Sequence, residues 1–452
     1  MEHGNWDVGD TMSMIDVLQD DPRLHALLTA EIDRQNESLL LVASCSPTHP
    51  SVLACLASVA GNVTAEGYPG RRYHGGCAIV DAIEQLAIDR AKAAFGAQYA
   101  NVQPHSASTA NQVVMLDLLE PGDTLLGMEL ASGGHLSHGA PVSLSGRLFR
   151  AFGYGVGADG WIDYEAVRRQ ALEVRPRLLV CGATAYSRAI DFERFRALAD
   201  EAGAWLLADI SHVAGLVVAG LYPNPIDAAH VTTTCTHKQL CGPRGGLILC
   251  GRDHDLVVPA KKRTLSSILQ AGVFPLLQGA PIPSAIAAKA CALGRCTTPD
   301  FRAMAVRIAD NGRALAAALQ DIGYTVVSGG TDSHIVLVDL TARRLTGVVA
   351  EQALEACGIL VNRNRVPGDT KDARVASGIR LGTNTVAARV MGALQMVRCA
   401  ELIDRVLGAI EQPEEATYSL PVATRARVAD DVRALCREFP VPYYSRAVSD
   451  LI

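Results

Sequence analysis

A single lysine stands in a turn rich in hydroxyl groups and glycine, within the stretch Thr236-His237-Lys238-Gln239-Leu240-Cys241-Gly242-Pro243-Arg244-Gly245-Gly246. The turn follows the run Val231-Thr232-Thr233-Thr234-Cys235, whose first four residues are β-branched, as is typical of a strand. A partly dry pocket lowers the pKa of a lysine, so that its neutral amine can condense with an aldehyde. Most lysines are solvated surface charges, so the turn indicates imine chemistry only if partner residues occur elsewhere in the chain.

The segments around this turn alternate between short apolar runs and helical patterns. Strands are predicted over 178–181, 204–208 and 247–250, and helices over 108–119 and 192–202. This alternation predicts an α/β fold with a mostly parallel sheet covered by helices. Beyond about residue 292, a long helical pattern over 301–319 and a strand pattern over 335–340 predict a smaller α+β domain. We therefore expect an N-terminal arm with helices (1–60), a large domain (61–291) and a small C-terminal domain (292–452).

The region before the large domain carries two features of its own. Residues 1–20 are predicted to form a loose or swapped arm, and Asp21-Pro22 opens a helical pattern. Residues 61–76 are polar and rich in glycine, which predicts an ordered loop without strand or helix. A helix follows this loop and is expected to end at Gly96.

The composition excludes several classes of protein. The 452 residues are 49% hydrophobic and 19% charged, as in an ordinary globular enzyme, and the net charge of -6 gives no footprint for nucleic acid or anionic membrane. No apolar run approaches the length of a membrane helix, and the acidic N-terminal segment does not resemble a secretory signal. The 12 cysteines are scattered without a C-x-x-C pair, which favours reduced thiols and a cytoplasmic location.

Polar groups fall where a parallel sheet binds ligands, at the carboxyl ends of its strands. Asp209 and His212 follow one predicted strand and Lys238 follows another. The run 106–109 (Ser-Ala-Ser-Thr) precedes a helix, where free N–H groups and hydroxyls can hold a phosphate. A phosphate cradle, an aspartate and a lysine are typical of a pyridoxal phosphate site, in which the aspartate keeps the ring nitrogen protonated. An imidazole can stack on the face of the cofactor ring.

Long sequence blocks carry a family resemblance. The chain resembles serine hydroxymethyltransferases, which are fold-type-I pyridoxal phosphate-dependent transferases, over nearly its whole length. The matching blocks are A-E-G-Y-P-G-R-R-Y at 65–73, A-N-V-Q-P-H-S at 100–106, P-G-D-T at 121–124, G-G-H-L at 133–136, D-x-x-H-x-A-G-L at 209–216, T-H-K at 236–238, G-P-R-G-G-L-I-L at 242–249, S-G-G-T-D at 328–332 and S-G-I-R-x-G-T at 377–383. The resemblance implies pyridoxal 5'-phosphate as cofactor, bound by the large domain.

The resemblance also implies which residues meet the cofactor. Lys238 would hold its aldehyde, Asp209 would pair with the ring nitrogen, and His135 would stack on the ring. The remaining contacts would be to the phosphate or to the ring hydroxyl. They would come from Ser106, Ala107, Ser108 and His237 at the phosphate, Gly279 of a second subunit, and Thr184 and His212 near the ring hydroxyl.

The resemblance places the amino-acid substrate between two subunits. Arg380 would bind its carboxylate with two parallel hydrogen bonds, a geometry that lysine cannot reproduce. Glu66 of the neighbouring subunit would handle the proton of the β-hydroxyl, and Ser44, Tyr73 and His74 would also contact the substrate. These roles imply a homodimer with shared active sites, which could pair further into a tetramer. The catalytic set is then Lys238, Glu66, His135, Asp209 and His212.

Several positions near this site depart from the family pattern. The family's S-E-N is Ser44-Cys45-Ser46 here, and a tyrosine ahead of A-E-G-Y-P-G is Thr64. The second tyrosine of the family's R-Y-Y-G-G is His74, and the threonine before T-H-K is Cys235. Together these changes predict an altered reaction or substrate.

Two enzyme hypotheses follow from the retained and the changed positions. The first is an aldolase or transaldolase that takes glycine from L-threonine or L-serine and passes it to a larger aldehyde, as in the biosynthesis of nucleoside antibiotics. The alternative is an ordinary serine hydroxymethyltransferase that interconverts serine and glycine with tetrahydrofolate. Five positions still match the folate entrance of the family without proving folate use: Tyr73, Leu130, Leu136, Phe274 and Asn364.

Two other classes of function remain open. His135 and His138, together with Asp209 and His212, could form the metal site of a hydrolase. A phosphate cradle and an imine-forming lysine leave a metal no task, so we expect none. A non-catalytic relative that binds the cofactor to regulate a partner is disfavoured because Lys238 and the other catalytic residues are retained.

Overall fold

The computed structural model describes Leu18 and residues 20–442. The predicted arm over residues 1–20 therefore lies almost entirely outside the described residues. Within them, helices cover both the N-terminal and the C-terminal parts of the chain. The α-helices are α1 (Pro22–Glu37), α2 (Pro50–Leu56), α3 (Ala78–Phe95), α4 (Ala107–Leu118), α5 (Leu144–Leu148), α6 (Tyr164–Val174), α7 (Phe192–Ala202), α8 (Ala214–Val218), α9 (Leu265–Ala271), α10 (Pro283–Cys296), α11 (Pro299–Asp321), α12 (Gly347–Glu355), α13 (Asn384–Ala388), α14 (Ala393–Leu407) and α15 (Val422–Glu438).

The strands are short and fall into one large sheet, one smaller sheet and three two-stranded pairs. They are β1 (Leu39–Leu40), β2 (Gly67–Tyr68), β3 (Arg71–Arg72), β4 (Tyr99–Asn101), β5 (Thr124–Met128), β6 (Arg150–Tyr154), β7 (Leu178–Cys181), β8 (Trp205–Asp209), β9 (Val231–Cys235), β10 (Gly246–Cys250), β11 (Val257–Val258), β12 (Arg263–Thr264), β13 (Thr325–Val326), β14 (Ile335–Asp339), β15 (Ile359–Leu360), β16 (Asn362–Asn364) and β17 (Gly378–Gly382).

The large sheet has seven strands in the order β4-β10-β9-β8-β7-β5-β6. Strand β10 runs antiparallel to both of its neighbours, and the other pairs are parallel. The prediction of an α/β fold with a mostly parallel sheet is confirmed. In the parallel part, the carboxyl ends of β8 and β9 lie side by side, with Asp209 opposite Thr233. This edge is where such a sheet binds ligands.

Both faces of the large sheet are buried, as parallel sheets require. Successive residues of one strand point to opposite faces, so Leu206 packs into one hydrophobic cluster and Leu207 into another. Helix α4 contributes Val113 to the second cluster, while α7 contributes Phe195 to the first. Helices on both faces therefore fix the sheet, and with it the strand ends that carry the polar side chains.

The smaller sheet lies in the C-terminal part of the chain, with the order β13-β14-β17-β16 and all pairs antiparallel. Its strand β17 carries Arg380 at its centre. Strand β1 pairs in parallel with β15, so the N-terminal segment contacts the C-terminal part. The domain boundaries stay a prediction; helix α10 (Pro283–Cys296) runs through the position expected for the second of them.

One local prediction was wrong in detail. Residues 61–76 were expected to contain neither strand nor helix, but β2 and β3 pair there as a short antiparallel hairpin. Arg72 stabilises it by donating to the carbonyl oxygens of Ala65 and Gly67, both at 2.8 Å. The following helix does end at Gly96, whose φ of 73° is the left-handed conformation that glycine accommodates. Within the described part of the chain, no helix has both the length and the apolar character needed to cross a bilayer.

Candidate active site

Lys238 lies three residues beyond the end of β9, in a turn held by its own backbone. The N–H of Gly242 donates to the carbonyl oxygen of Thr236 at 2.8 Å, and the Thr236 hydroxyl donates to the carbonyl oxygen of Pro243 at 2.6 Å. The turn closes through Cys241, which has a φ of 52° and donates its N–H to the carbonyl oxygen of Lys238 at 2.9 Å. These hydrogen bonds fix the conformation of the turn that carries Lys238.

The surroundings of Lys238 favour a neutral amine. Burial lowers the pKa of Lys238, and the nearby Cys235 and Asp209 only partly oppose that effect. Its Nζ atom makes no hydrogen bond or ion pair with another described residue. An amine that is partly dehydrated and uncommitted is suited to condense with an aldehyde.

Asp209 is held as an ionised carboxylate. Its Oδ1 atom accepts hydrogen bonds from the N–H and the hydroxyl of Ser211, at 3.0 and 2.6 Å. Its Oδ2 atom contacts Asn111 Nδ2 at 2.8 Å and His138 Nε2 at 3.0 Å. Burial alone would raise the pKa of Asp209, but the hydrogen bond from His138 and then that from Ser211 lower it well below its ordinary value. A fixed negative charge at this point can keep a ring nitrogen protonated.

The residues around Asp209 were not all foreseen. Asn111 and Ser211 were not named from the sequence. His138 was expected in the same crevice, but the one role considered for it was that of a metal ligand. Thr233 completes the group, because its hydroxyl donates to Asn111 Oδ1 at 2.6 Å and so orients the amide of Asn111 toward Asp209. Their sequence signal was a polar residue on an otherwise apolar face of α4 and a threonine-rich strand.

His135 belongs to the same cluster. Its Nδ1 atom accepts a hydrogen bond from the Ser137 N–H at 3.2 Å and lies 2.8 Å from the Ser137 hydroxyl. Burial lowers the pKa of His135, and its ring lies edge-on to that of His138 with 5.7 Å between centroids. A neutral imidazole in a fixed orientation is suited to stack on an aromatic ring.

The start of α4 provides an anion cradle. The Ser106 hydroxyl oxygen caps this helix by accepting from the Thr109 N–H at 3.0 Å. The N–H groups of Ala107 and Ser108 belong to the first turn, where an α-helix offers them no internal acceptor. These groups, together with the positive end of the helix dipole, suit a phosphate. His237 adds a neutral ring, because burial, followed by the charges of Arg244 and Lys238, lowers its pKa to about 4.

Arg380 is a buried cation without a carboxylate partner among the described residues. Only 7% of the residue is exposed. Its Nη1 atom donates to the carbonyl oxygen of Thr184 at 2.7 Å, and its Nε atom donates to Asn362 Oδ1 at 3.0 Å. Burial lowers the pKa of Arg380 to about 10, so the side chain stays charged at neutral pH. Thr184 therefore orients the arginine through its backbone.

His212 is a buried histidine near Lys238 and Arg380. Its ring stacks on that of His334 with 5.8 Å between centroids and 15° between planes. Burial, together with the charges of Lys238 and Arg380, lowers the pKa of His212 well below its ordinary value, so the ring is neutral. The Nδ1 atoms of His212 and His237 are buried and have no hydrogen-bond partner in the described part of the chain.

Ser44 is positioned by residues that the sequence did not single out. The carbonyl oxygen of the preceding Ala43 accepts hydrogen bonds from Asn384 Nδ2 at 3.0 Å and from His334 Nε2 at 3.1 Å. The neighbouring Cys45 thiol has its pKa raised by burial, while the charge of Arg380 opposes the rise. A Cβ atom on Gly382 would collide with Ala43, so the Ser44 segment lies beside β17, the strand that carries Arg380.

Four expected site residues form a separate group. Glu66 Oε2 lies 3.4 Å from His74 Nε2, and both side chains are partly exposed. A Cβ atom on Gly279 would lie 3.7 Å from Glu66 Oε1, so the glycine is close to the same carboxylate. The Tyr73 ring packs edge-on against Phe274. No hydrogen bond or ion pair within the described chain links this group to Lys238, Asp209 or Arg380.

The residues around Lys238, Asp209 and the start of α4 fit pyridoxal phosphate. The cradle at α4 offers N–H groups to a phosphate, Asp209 offers a negative charge to a ring nitrogen, and Lys238 offers an uncommitted amine to an aldehyde. The buried unpartnered Nδ1 atoms of His212 and His237 are available to polar atoms of a bound molecule. In contrast, no group of three or more histidine, cysteine or acidic side chains able to hold a metal occurs among the described residues. Fold and site together define a pyridoxal phosphate-dependent transferase of fold type I.

Comparison with known proteins narrows this class. Residues 17–403 match the family model of serine hydroxymethyltransferase. A serine hydroxymethyltransferase of Rhodospirillum centenum is 49% identical over 422 residues, which cover 93% of this chain and 95% of the relative. One from Xanthomonas campestris pv. campestris is 48% identical over 93% of this chain and 97% of its own length. The chain belongs to the serine hydroxymethyltransferase family.

Proposed function

We propose that the protein is a serine hydroxymethyltransferase that interconverts L-serine and glycine, with tetrahydrofolate as the one-carbon acceptor. The observation that carries this proposal is the match of nearly the whole chain to relatives of that name. The site supports it, because a buried arginine without a carboxylate partner lies near the uncommitted Lys238 amine. An α-amino acid presents the two groups that such a pair would bind.

Different residues of the chain have different roles in this reaction. When bound, the cofactor supplies an electron sink for the pair of electrons released as the Cα–Cβ bond breaks. Arg380 holds the substrate carboxylate, and the ionised Asp209 stabilises positive charge on the ring nitrogen. Glu66 accepts the proton of the β-hydroxyl as the aldehyde leaves and returns it in the reverse reaction. Such acid–base assistance contributes ~10²–10⁴-fold in rate.

A specific observation favours a second candidate. His74 stands where the family has tyrosine, and its Nε2 atom lies 3.4 Å from the Glu66 carboxylate. Thr64 and Cys235 also replace larger or more polar residues of the family pattern. These changes favour the transaldolase hypothesis, in which glycine from L-threonine or L-serine passes to a larger aldehyde. The names of the relatives favour the hydroxymethyltransferase instead.

A product analysis separates the two candidates. The purified holoenzyme is incubated with L-serine with and without tetrahydrofolate, and with L-threonine plus a panel of aldehydes. We expect glycine to form from serine at a rate that rises strongly with tetrahydrofolate. Exchange of the threonine side chain for the added aldehydes, with no response to tetrahydrofolate, would establish the transaldolase instead.

We further propose that two subunits complete each active site. Glu66, His74 and Gly279 lie together, apart from Lys238 and its partners within one chain. Large apolar side chains near this group are exposed, among them Tyr73 and Leu276. An exposed apolar surface beside half of an active site is suited to a second copy of the chain.

We also propose a cytoplasmic location, which is supported by twelve free cysteines.

Mixing of two inactive variants tests this arrangement. Lys238→Ala and Glu66→Gln should each lose activity, and Glu66→Gln should fall by ~10²–10⁴-fold. In a hybrid dimer, one of the two sites receives Lys238 from one chain and Glu66 from the other. Denaturing and refolding an equal mixture should therefore restore roughly a quarter of the wild-type rate.

The control mixture combines two changes on the same side of the proposed interface. Lys238→Ala and Asp209→Asn alter residues that lie in one cluster of one chain, so hybrid dimers retain no intact site. Recovery in the control, or no recovery with Glu66→Gln despite hybrid formation, would contradict the shared site.

A further inference from the structure

Lys289 is a buried lysine outside the set predicted from the sequence. It lies on α10, and only 2% of the residue is exposed. Its ammonium group donates all three of its hydrogen bonds to backbone carbonyl oxygens: Val102 at 2.6 Å, Pro104 at 2.9 Å and Gly246 at 3.0 Å. No described carboxylate forms an ion pair with it. Burial lowers the pKa of Lys289 to about 7, and the charge of Glu84 opposes this shift only in part.

The three carbonyl groups belong to the segments that build the phosphate cradle. Pro104 stands two residues before Ser106, the cap of α4. Gly246 donates its N–H to the carbonyl oxygen of Pro104 at 2.9 Å, and a Cβ atom on Gly246 would collide with the backbone of Ser106. The ammonium group therefore fastens β10 to the segment that leads into the cradle.

The same ammonium group lies close to the turn that carries the cofactor lysine. The carbonyl oxygen of Gly245 accepts the N–H of Thr236 at 3.1 Å, two residues before Lys238. A Cβ atom on Gly245 would lie 2.8 Å from Lys289 Nζ, so only a residue without a side chain fits above the ammonium. Lys289 thus lies where the cradle segment and the Lys238 turn meet.

The charge of Lys289 has a clear use at this place. Burial of a lysine without an ion-pair partner costs stability, and carbonyl dipoles offset only part of that cost. A phosphate dianion bound at the start of α4 would attract the ammonium form of Lys289 and would favour that form over the neutral amine. Burial lowers the pKa of His105 in this segment, and the charge of Lys289 acts in the same direction.

We propose that Lys289 is a positioning residue for cofactor binding, which holds the Pro104–Ser106 and Gly245–Gly246 segments in the geometry that accepts the cofactor phosphate. It acts through the backbone and does not touch the reacting atoms. The proposal rests on the cofactor and not on the identity of the amino acid or of the acceptor.

The test compares two forms of vitamin B6 aldehyde that differ only in the phosphate. Dissociation constants of pyridoxal phosphate and of pyridoxal are measured spectroscopically for the apo forms of the wild type, Lys289→Met and Lys289→Gln, in the absence of amino acid. Methionine keeps an unbranched side chain that is one atom shorter, and it donates no hydrogen bonds. We expect pyridoxal phosphate affinity to fall by about 10–100-fold and pyridoxal affinity to change less than about threefold.

Arg389 provides a matched control. It is also a buried cation, and it donates only to backbone carbonyl oxygens, but these lie near α1 and α15, away from the cradle. Arg389→Met should lower the melting temperature and leave the ratio of the two dissociation constants unchanged. The proposal would be overturned if the Lys289 variants left the ratio of the two dissociation constants unchanged, whether both affinities fell equally or neither fell. Failure of both variants to fold would also overturn it. None of these outcomes bears on the choice between serine and threonine chemistry, because no amino acid is present.

Discussion

Lys238→Ala should lose the covalent attachment of the vitamin B6 aldehyde and should lower turnover by at least ~10²–10⁴-fold, the range for loss of a positioned catalytic group. The reason lies in the setting of the amine, whose pKa is lowered by burial and whose Nζ atom is uncommitted. The cradle at α4 and Asp209 do not depend on this side chain, so the variant should still bind the cofactor without a covalent bond. The expected result is loss of attachment with partial retention of binding.

Borohydride reduction followed by peptide mapping measures this directly. The chain has six lysines, at 92, 238, 261, 262, 289 and 371, so the modified peptide can be assigned without ambiguity. Lys261→Ala is the control, since Lys261 is exposed and should leave the label at position 238. Full turnover of Lys238→Ala, or a label that persists at another lysine, would refute the assignment.

The elements with a clear hydrophobic period were predicted closely from the sequence. Helix α7 has the predicted bounds, 192–202, because Asp191 caps its start and Gly203 ends it with a φ of 71°. Strand β8 begins and ends one residue later than predicted. Its limits are set by pairing with β7 and β9, and its own composition does not determine them. The hairpin of β2 and β3 was missed, since polar, glycine-rich residues carry no strand period.

The site could be predicted only where a residue stands at a strand end or in a family block. Lys238 and Asp209 met both conditions. The partners of Asp209 did not, because Asn111 and His138 lie 98 and 71 positions away along the chain and meet it only through the fold. Lys289 is the extreme case, with carbonyl partners up to 187 positions away. A helical period shows that such a residue is buried, but not which backbone groups surround it.

Arg380→Lys should raise the KM for the amino acid and lower kcat/KM by ~10²–10³-fold, with a smaller effect on kcat. Loss of one partner of a buried charge pair typically costs about 3–5 kcal/mol. The guanidinium is already fixed by Thr184 and Asn362, which leaves the rest of its donors pointing away from those partners. A lysine keeps the charge but cannot satisfy both neighbours and bind a carboxylate with two parallel hydrogen bonds.

The control is an arginine whose carboxylate partners belong to the same chain, so that it needs no substrate to complete an ion pair. Arg196 pairs with Asp200 at 2.9 Å and with Asp253 at 2.6 Å, and neither partner is a predicted site residue, so Arg196→Lys should leave KM nearly unchanged. Steady-state kinetics with L-serine and spectroscopic titration with glycine give KM and affinity independently. If Arg380→Lys lowered kcat while KM and glycine affinity stayed at wild-type values, the arginine would not bind the carboxylate. The buried, unpaired charge on β17 would then need another anion to explain why the fold tolerates it.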